Sequence, residues 1–199
     1  MIAGALFVVA AYLLGSVSFA VIVSRAFGLP DPHEYGSGNP GATNVLRTGN
    51  KAAALLTLLG DGVKGFVAVF VARVFAPEIG AGEWFLPAVA LAVFIGHLFP
   101  IFHGFRGGKG VATAAGIVFA VTWPLGLVLL VVWLTMAFGF KISSLAALVT
   151  AALLPLGMFL VQGPTPMSYT TIVIAILLFW RHRTNIRQLI SGSERSIGR

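Results

Sequence analysis

The sequence predicts an all-α membrane protein, a polytopic bundle of seven transmembrane helices with its N-terminus outside and its C-terminus cytoplasmic. Three observations carry this expectation: an apolar composition, apolar runs of membrane-crossing length, and basic residues confined to one side. Of the 199 residues, 58% are hydrophobic and only 10% charged, whereas an ordinary soluble domain carries about 25% charged residues. The mean hydropathy is +0.96, which excludes a soluble globule. The absence of cysteine excludes disulfides and thiolate-ligated metal.

The first apolar run, 3–24, has no basic residue before it and no small-residue cleavage site at its end. It reads as a retained span and not as a signal peptide. Further spans are expected at 52–76, 84–102, 144–161 and 168–180, the last somewhat short against the roughly 17–25 residues a bilayer needs. As one helix at about 1.5 Å per residue, the stretch 110–140 would be about 45 Å long, beyond a hydrocarbon core of about 30 Å. Thr122-Trp123-Pro124 supplies a break, giving spans at 110–122 and 125–140.

Charge sets the parity of the spans. Arg106 and Lys109 share the cytoplasmic side with Lys141 only if two spans separate them. Arg25, Arg47, Lys51, Arg181, Arg183, Arg187, Arg195 and Arg199 then also lie inside, while the outer loop 77–83 carries Glu78, Glu83 and no base. Arg73 alone sits near the wrong end. The net charge of +7 therefore reads as orientation, and nucleic acid is not an expected partner. No internal repeat is visible, so residues 1–199 are expected to form a single integral membrane domain with a polar tail after Gly192.

The chemistry is concentrated in three polar segments. In the first, Gly36, Gly38 and Gly41 can turn successive amides toward one point, a nest that binds anions. Thr43 or Asn44 can cap a following helix. Ser37, Asn39, Thr43 and Asn44 add hydrogen bonds, and Arg47 can clamp a phosphate bidentately. The G-x-G-x-x-G pattern here follows a membrane helix and no strand, so the dinucleotide fingerprint fails on context.

The second segment sets Gly107, Gly108 and Gly110 around Lys109 at the start of a helix. It is no Walker loop, because His103 and Gly110 stand where glycine and serine or threonine are required. A compact backbone presenting Lys109 still suits a small phosphate. The third segment, 181–187, places His182 and Asn185 on one helical face and Arg183 and Arg187 on another, where the arginines can meet anionic headgroups. Ser143 and Ser144 follow Lys141 on the same side and are expected to complete the polar pocket.

Inside the second span, Asp61 and Lys64 share a helical face, where ionisable groups must pair or face a polar cavity. Lys64 is a structural partner of Asp61 or a ligand for a bound anion. Ser16, Ser18 and His97 read as interhelical packing and hydrogen-bonding residues. A transporter or channel for a phosphorylated solute is the alternative function. Transporters, however, place their sites near the midplane between repeated halves, and here the polar clusters gather at one face.

The blocks Gly36–Arg47, Gly107–Thr113 and Arg181–Asn185, in this order and across a chain of this length, resemble the bacterial membrane acyl-phosphate:glycerol-3-phosphate acyltransferases. The resemblance implies a multi-pass protein of the bacterial inner membrane with a cytoplasmic active site. It implies transfer of a fatty acyl group from acyl phosphate to the sn-1 hydroxyl of glycerol 3-phosphate, giving lysophosphatidic acid and phosphate in phospholipid biosynthesis. No cofactor or metal is expected. Glycerol 3-phosphate, fatty acyl phosphate and membrane lipids are the expected partners, with the enzyme that supplies acyl phosphate a further candidate.

On this reading Arg47 and Lys109, together with Lys64, hold the phosphate of glycerol 3-phosphate. The first loop, through Ser37, Gly38, Asn39, Gly41, Thr43 and Asn44, holds the acyl phosphate, and Gly107, Gly108, Gly110 and Ser144 complete the site. Ser37, Lys109 and His182 are the expected catalytic residues. The base is either His182, oriented by Asn185, or a phosphate oxygen of the acyl donor.

Overall fold

A computed structural model describes residues 2–197, and every regular element among them is helical. The helices are α1 (Ile2–Gly15), α2 (Phe19–Ala26), α3 (Ala42–Leu46), α4 (Lys51–Phe75), α5 (Phe85–Leu98), α6 (Val111–Val121), α7 (Trp123–Phe140), α8 (Ser143–Gln162), α9 (Pro166–Arg181) and α10 (Arg183–Ile190). Among the described residues, four stretches are long and apolar enough to cross a membrane by themselves: Lys51–Phe75, Phe85–His103, Trp123–Phe140 and Ser143–Gln162. The bent pair α1 and α2 makes a fifth; α6 and α9 are apolar but shorter.

The first span is not the continuous helix expected over 3–24. It bends by 43° between α1 and α2, at Ser16-Val17-Ser18. Ser16 Oγ turns back to the Tyr12 carbonyl at 2.9 Å, and Ser18 caps α2. The Val17 carbonyl is taken by Lys64 Nζ at 2.7 Å. A buried helix break is stable only where such partners satisfy its backbone groups.

Small residues set the helix spacing, as expected where lipid removes the hydrophobic incentive for helices to associate. The parallel pair α4 and α6 meets at Gly62, Gly65 and Gly116, where an added methyl group at either of the last two would fall on a carbonyl of the facing helix. Thr113 Oγ1 crosses the same contact to the Asp61 carbonyl at 3.0 Å. Helices α1 and α5 approach in the same way at Gly15 and Gly96, and α8 packs between α7 and α9. The outward faces of α4 and α7 expose Leu55, Leu59, Phe70, Val128, Val131 and Phe138. A water-soluble protein rarely presents so continuous an apolar surface.

A helical break separates α6 from α7 at Thr122. Arg73, at the end of α4, donates there to the carbonyls of Ala120 and Val121 at 3.2 and 3.3 Å. Its charge thus meets the negative end of α6. The glycine-rich segments, Lys141 and the α9–α10 junction all gather at the opposite end of the bundle.

Candidate active site

Loop one, 27–50, is organised by a single buried side chain. Asn44 is 2% exposed; its Nδ2 donates to the carbonyls of Pro32 at 2.9 Å and Tyr35 at 3.2 Å. Its Oδ1 accepts from the Ser37 amide at 3.0 Å and from Arg47 Nη1 at 3.2 Å. Both ends of the carboxamide are therefore spent inside the loop, and Asn44 sets where Ser37 and Arg47 stand. Gly36 holds a positive φ of 61° beside it, and a Cβ there would strike Asn44 Oδ1, so glycine is required.

Loop two, 99–110, lies pressed against the end of α5. Methyl groups at Gly107 and Gly108 would meet the His97 carbonyl, the His97 ring and the Pro40 carbonyl. The Gly108 amide donates to the His97 carbonyl at 3.2 Å. Arg181 then fixes the other side of the backbone: Nη2 bonds the Gly107 carbonyl at 2.5 Å and Nε the Gly108 carbonyl at 3.0 Å. Lys109 is carried into the site on this immobilised turn.

Lys109 Nζ donates to Asn185 Oδ1 at 2.5 Å. Asn185 Nδ2 donates to Glu194 Oε1 at 2.7 Å, and Ser144 Oγ donates to the same oxygen at 2.5 Å. The chain beyond α10 thus turns back over the site. It is held there by the amides of Ser193 and Glu194 on the Gln188 carbonyl and by the Ile197 amide on the Lys141 carbonyl at 2.7 Å. Because a carboxylate only accepts, it presents the Asn185 oxygen, and not its NH2, to Lys109.

Burial pushes the Lys109 ammonium down to about 8; the Glu194 charge opposes the shift, and Arg181 and Arg47 add to it. His182 is buried, and its Nδ1 donates to the Leu178 carbonyl at 2.8 Å, which leaves Nε2 as the acceptor of the neutral ring. Burial pushes its pKa to about 4, with Lys109 lowering it further, the Leu178 bond resisting and Arg181 adding a smaller push down. Three cations and a proton-accepting imidazole therefore surround one end of the bundle. That arrangement suits an anionic substrate and a proton removal.

Behind loop two, Lys64 Nζ and Asp61 Oδ1 are paired at 2.7 Å, and His97 Nδ1 stands 3.5 Å from the same carboxylate oxygen. A cavity of ≈ 10 Å³, the size of one water, lies between Ser16, Ser18, Lys64, His97 and Gly107–Gly108. No group of three or more potential metal-ligating side chains occurs among the described residues.

Residues 5–192 match the family model described as Glycerol-3-phosphate acyltransferase. The chain belongs to the glycerol-3-phosphate acyltransferase family. Relatives of that name in Cupriavidus pinatubonensis and Thiobacillus denitrificans are each 59% identical to it, over 196 and 194 residues, covering 98% of this chain and 97% of theirs. Its fold is similar to the crystal structure of PlsY (YgiH), an integral membrane glycerol 3-phosphate acyltransferase, in the glycerol 3-phosphate form. The TM-score is 0.91, with 38% identity over 98% of this chain and 96% of that one. The lysophosphatidic acid form gives a TM-score of 0.88 and 37% identity, over 98% of this chain and 95% of the other.

In this acyltransferase family member the structure brings Lys109, Asn185, Ser144 and His182 together with Arg47 nearby. Several expectations need correction. Neither Thr43 nor Asn44 caps a helix: Gly41 is the N-cap of α3, Thr43 is exposed, and Asn50 Oδ1 caps α4 through the Ala53 amide at 2.9 Å. Asn185 does not orient His182; the Leu178 carbonyl does. Lys64 is engaged by Asp61 and Val17, and the Gly108 amide is engaged by His97. Ser37 and Gly38 line the exposed rim of loop one, with Asn39 half-buried beside them.

Arg181 and Glu194 escape sequence reasoning as site residues. Glu194 did carry a signal: it is the only acidic residue after Glu83, in a segment otherwise rich in bases.

Proposed function

We propose that the chain transfers a fatty acyl group from acyl phosphate to the sn-1 hydroxyl of glycerol 3-phosphate, giving lysophosphatidic acid and phosphate. Family membership supplies the glycerol 3-phosphate acylation. The observation that carries the residue-level reading is the convergence of Lys109, Arg47 and Arg181 with a neutral, oriented His182 at one end of an apolar bundle.

Lys109 and Arg47 hold the phosphate of glycerol 3-phosphate, and Asn185, with Ser144, sets the acceptor's orientation. Loop one, through Ser37, Gly38, Asn39, Gly41 and Thr43, holds the acyl phosphate. Lys64 contributes at one remove, by fixing the Val17 carbonyl and Asp61 beneath loop two. Fixing two phosphates brings hydroxyl and carbonyl to about 3–3.5 Å and turns most of the barrier into positioning. The proton leaves to His182 Nε2 or to a phosphate oxygen of the donor; phosphate is the leaving group, so no coenzyme A is consumed.

The topology that accompanies this reading has seven spans, with α1 and α2 as one and α6 and α9 as short ones. It is supported by the break at Thr122, by Arg73 at the Thr122 end and by the remaining bases at the other. The N-terminus is then outside, and the loops face the cytoplasm of the bacterial inner membrane. Residues 1–199 form one integral membrane domain, supplied with acyl phosphate by a separate enzyme.

Purified protein supplied with acyl phosphate and glycerol 3-phosphate is expected to release phosphate and form lysophosphatidic acid in the absence of coenzyme A. Turnover only with acyl-coenzyme A would contradict the donor, and no turnover with either donor would contradict the enzyme.

A further inference from the structure

Loop one and loop two are joined, among the described residues, by one hydrogen bond, and His33 makes it. Its Nε2 stands 2.8 Å from the Arg106 carbonyl oxygen, immediately before Gly107-Gly108-Lys109. Its Nδ1 stands 2.7 Å from Asp31 Oδ1, and its amide donates to the same carboxylate oxygen at 2.9 Å. Residues 32 and 35 on either side of it are the two whose carbonyls Asn44 holds. The imidazole therefore links the segment that places Ser37 and Arg47 to the segment that carries Lys109.

Both ring partners are oxygens with no hydrogen to give. A neutral imidazole has one N–H and can satisfy only one of them; two simultaneous bonds require both N–H groups, the imidazolium form. Asp31 suits that state. Burial opposes its ionisation, but the hydrogen bonds and charge of His33, with Arg25, outweigh it and hold the carboxyl below its ordinary range. The other groups around the ring are Glu34 on loop one, His103 on loop two with its ring centroid 6.1 Å away, and Arg106, all bordering one open cavity of ≈ 260 Å³.

We propose that His33, as an imidazolium, is a positioning residue for the acyl transfer, tying loop one to loop two so that the two phosphate sites keep one fixed separation. The proposal rests on the acyltransferase reading, because only a reaction between two anchored phosphates needs that separation held. Loss of either ring contact frees the loops to shift. A displacement near 1 Å between reacting groups lowers turnover by up to about 100-fold, so the effect falls on kcat more than on either KM.

Two measurements test this. In protein labelled with 15N-histidine and held in detergent without substrate, the His33 resonances, assigned by their loss in His33→Gln, are expected to show an N–H on each ring nitrogen. A neutral His33 under those conditions overturns the proposal. In the acyl-transfer assay, His33→Ala and His33→Gln are expected to lower kcat roughly 10- to 100-fold while each KM stays within about threefold. The melting temperature is expected to be retained in both variants.

A wild-type kcat in His33→Gln overturns the positioning role. Should His33→Ala fail to fold, His33→Gln and Asp31→Asn carry the kinetic test. A wild type inactive with both donors defeats the acyltransferase reading alone, since the histidine resonances are read without turnover.

Discussion

Lys109 Nζ and Asn185 Oδ1 meet at 2.5 Å across 76 residues of sequence, and this contact joins loop two to the α9–α10 junction. It places a partly buried loop cation beside a carboxamide whose own orientation is set by Glu194. In the proposed function, anion binding here depends on the charge of Lys109, whose pKa burial lowers to about 8.

Because Lys109 titrates near 8 instead of near 10.5, it is largely charged at neutral pH and loses its proton as the pH passes about 8. The KM for glycerol 3-phosphate is expected to rise above that pH with little change in the KM for the acyl donor. A bound phosphate raises the lysine's pKa in return, so the limb moves to higher pH when the acceptor is saturating. Initial rates between pH 6 and 10 check this, and a flat KM over that range would count against it.

Glu194→Gln removes a charge that supports Lys109 while keeping an oxygen for Ser144 and Asn185 to bond. The lysine's pKa is then expected to fall further, moving the alkaline limb of the KM profile to lower pH. The melting temperature should change less than in Glu194→Ala, which leaves two donors without a partner at about 1–3 kcal/mol each. Identical pH profiles for wild type and Glu194→Gln would show that the carboxylate acts through structure alone.

Arg181→Lys keeps the charge but not the two-pronged hold on the Gly107 and Gly108 carbonyls, since an ammonium is a point donor. Losing one charged hydrogen bond, about 1.5–3 kcal/mol, predicts a fall of roughly tenfold to a hundredfold in kcat/KM. Steady-state kinetics on the folded variant decide it; wild-type kcat/KM would remove Arg181 from the site.

His182 makes the fold sensitive to acid. Its pKa is about 4 in the folded chain against an ordinary 6.5, so between those values the unfolded chain binds a proton that the folded chain does not. Stability is therefore complete above about 6.5 and declines as the pH falls toward 4. The melting temperature of His182→Gln is expected to decline less over that window than that of the wild type. Parallel declines would mean that the imidazole is not held neutral.

How far sequence carries can be judged from individual residues. Arg47 and Lys109 stand out because glycine-rich loops with a base are rare in so apolar a chain, and the break at Thr122 follows from helix length and a proline. The break at Ser16–Ser18 is marked in the sequence only by Gly15 and two serines inside an apolar run, and one partner that satisfies it, Lys64 on the Val17 carbonyl, is 47 residues away. Asn44 resembles a cap or a ligand in sequence but spends all its bonding capacity on loop one. Arg181 and Glu194 act through backbone carbonyls and a returning tail, relationships that only the packed chain creates.

The central claim is that Lys109 holds the phosphate of glycerol 3-phosphate, and calorimetric titration without an acyl donor tests it most directly. At pH 7 the wild type in detergent is expected to bind glycerol 3-phosphate, and Lys109→Met, with an unchanged melting temperature, to bind it at least about tenfold more weakly. Equal affinities for the two proteins would contradict the account.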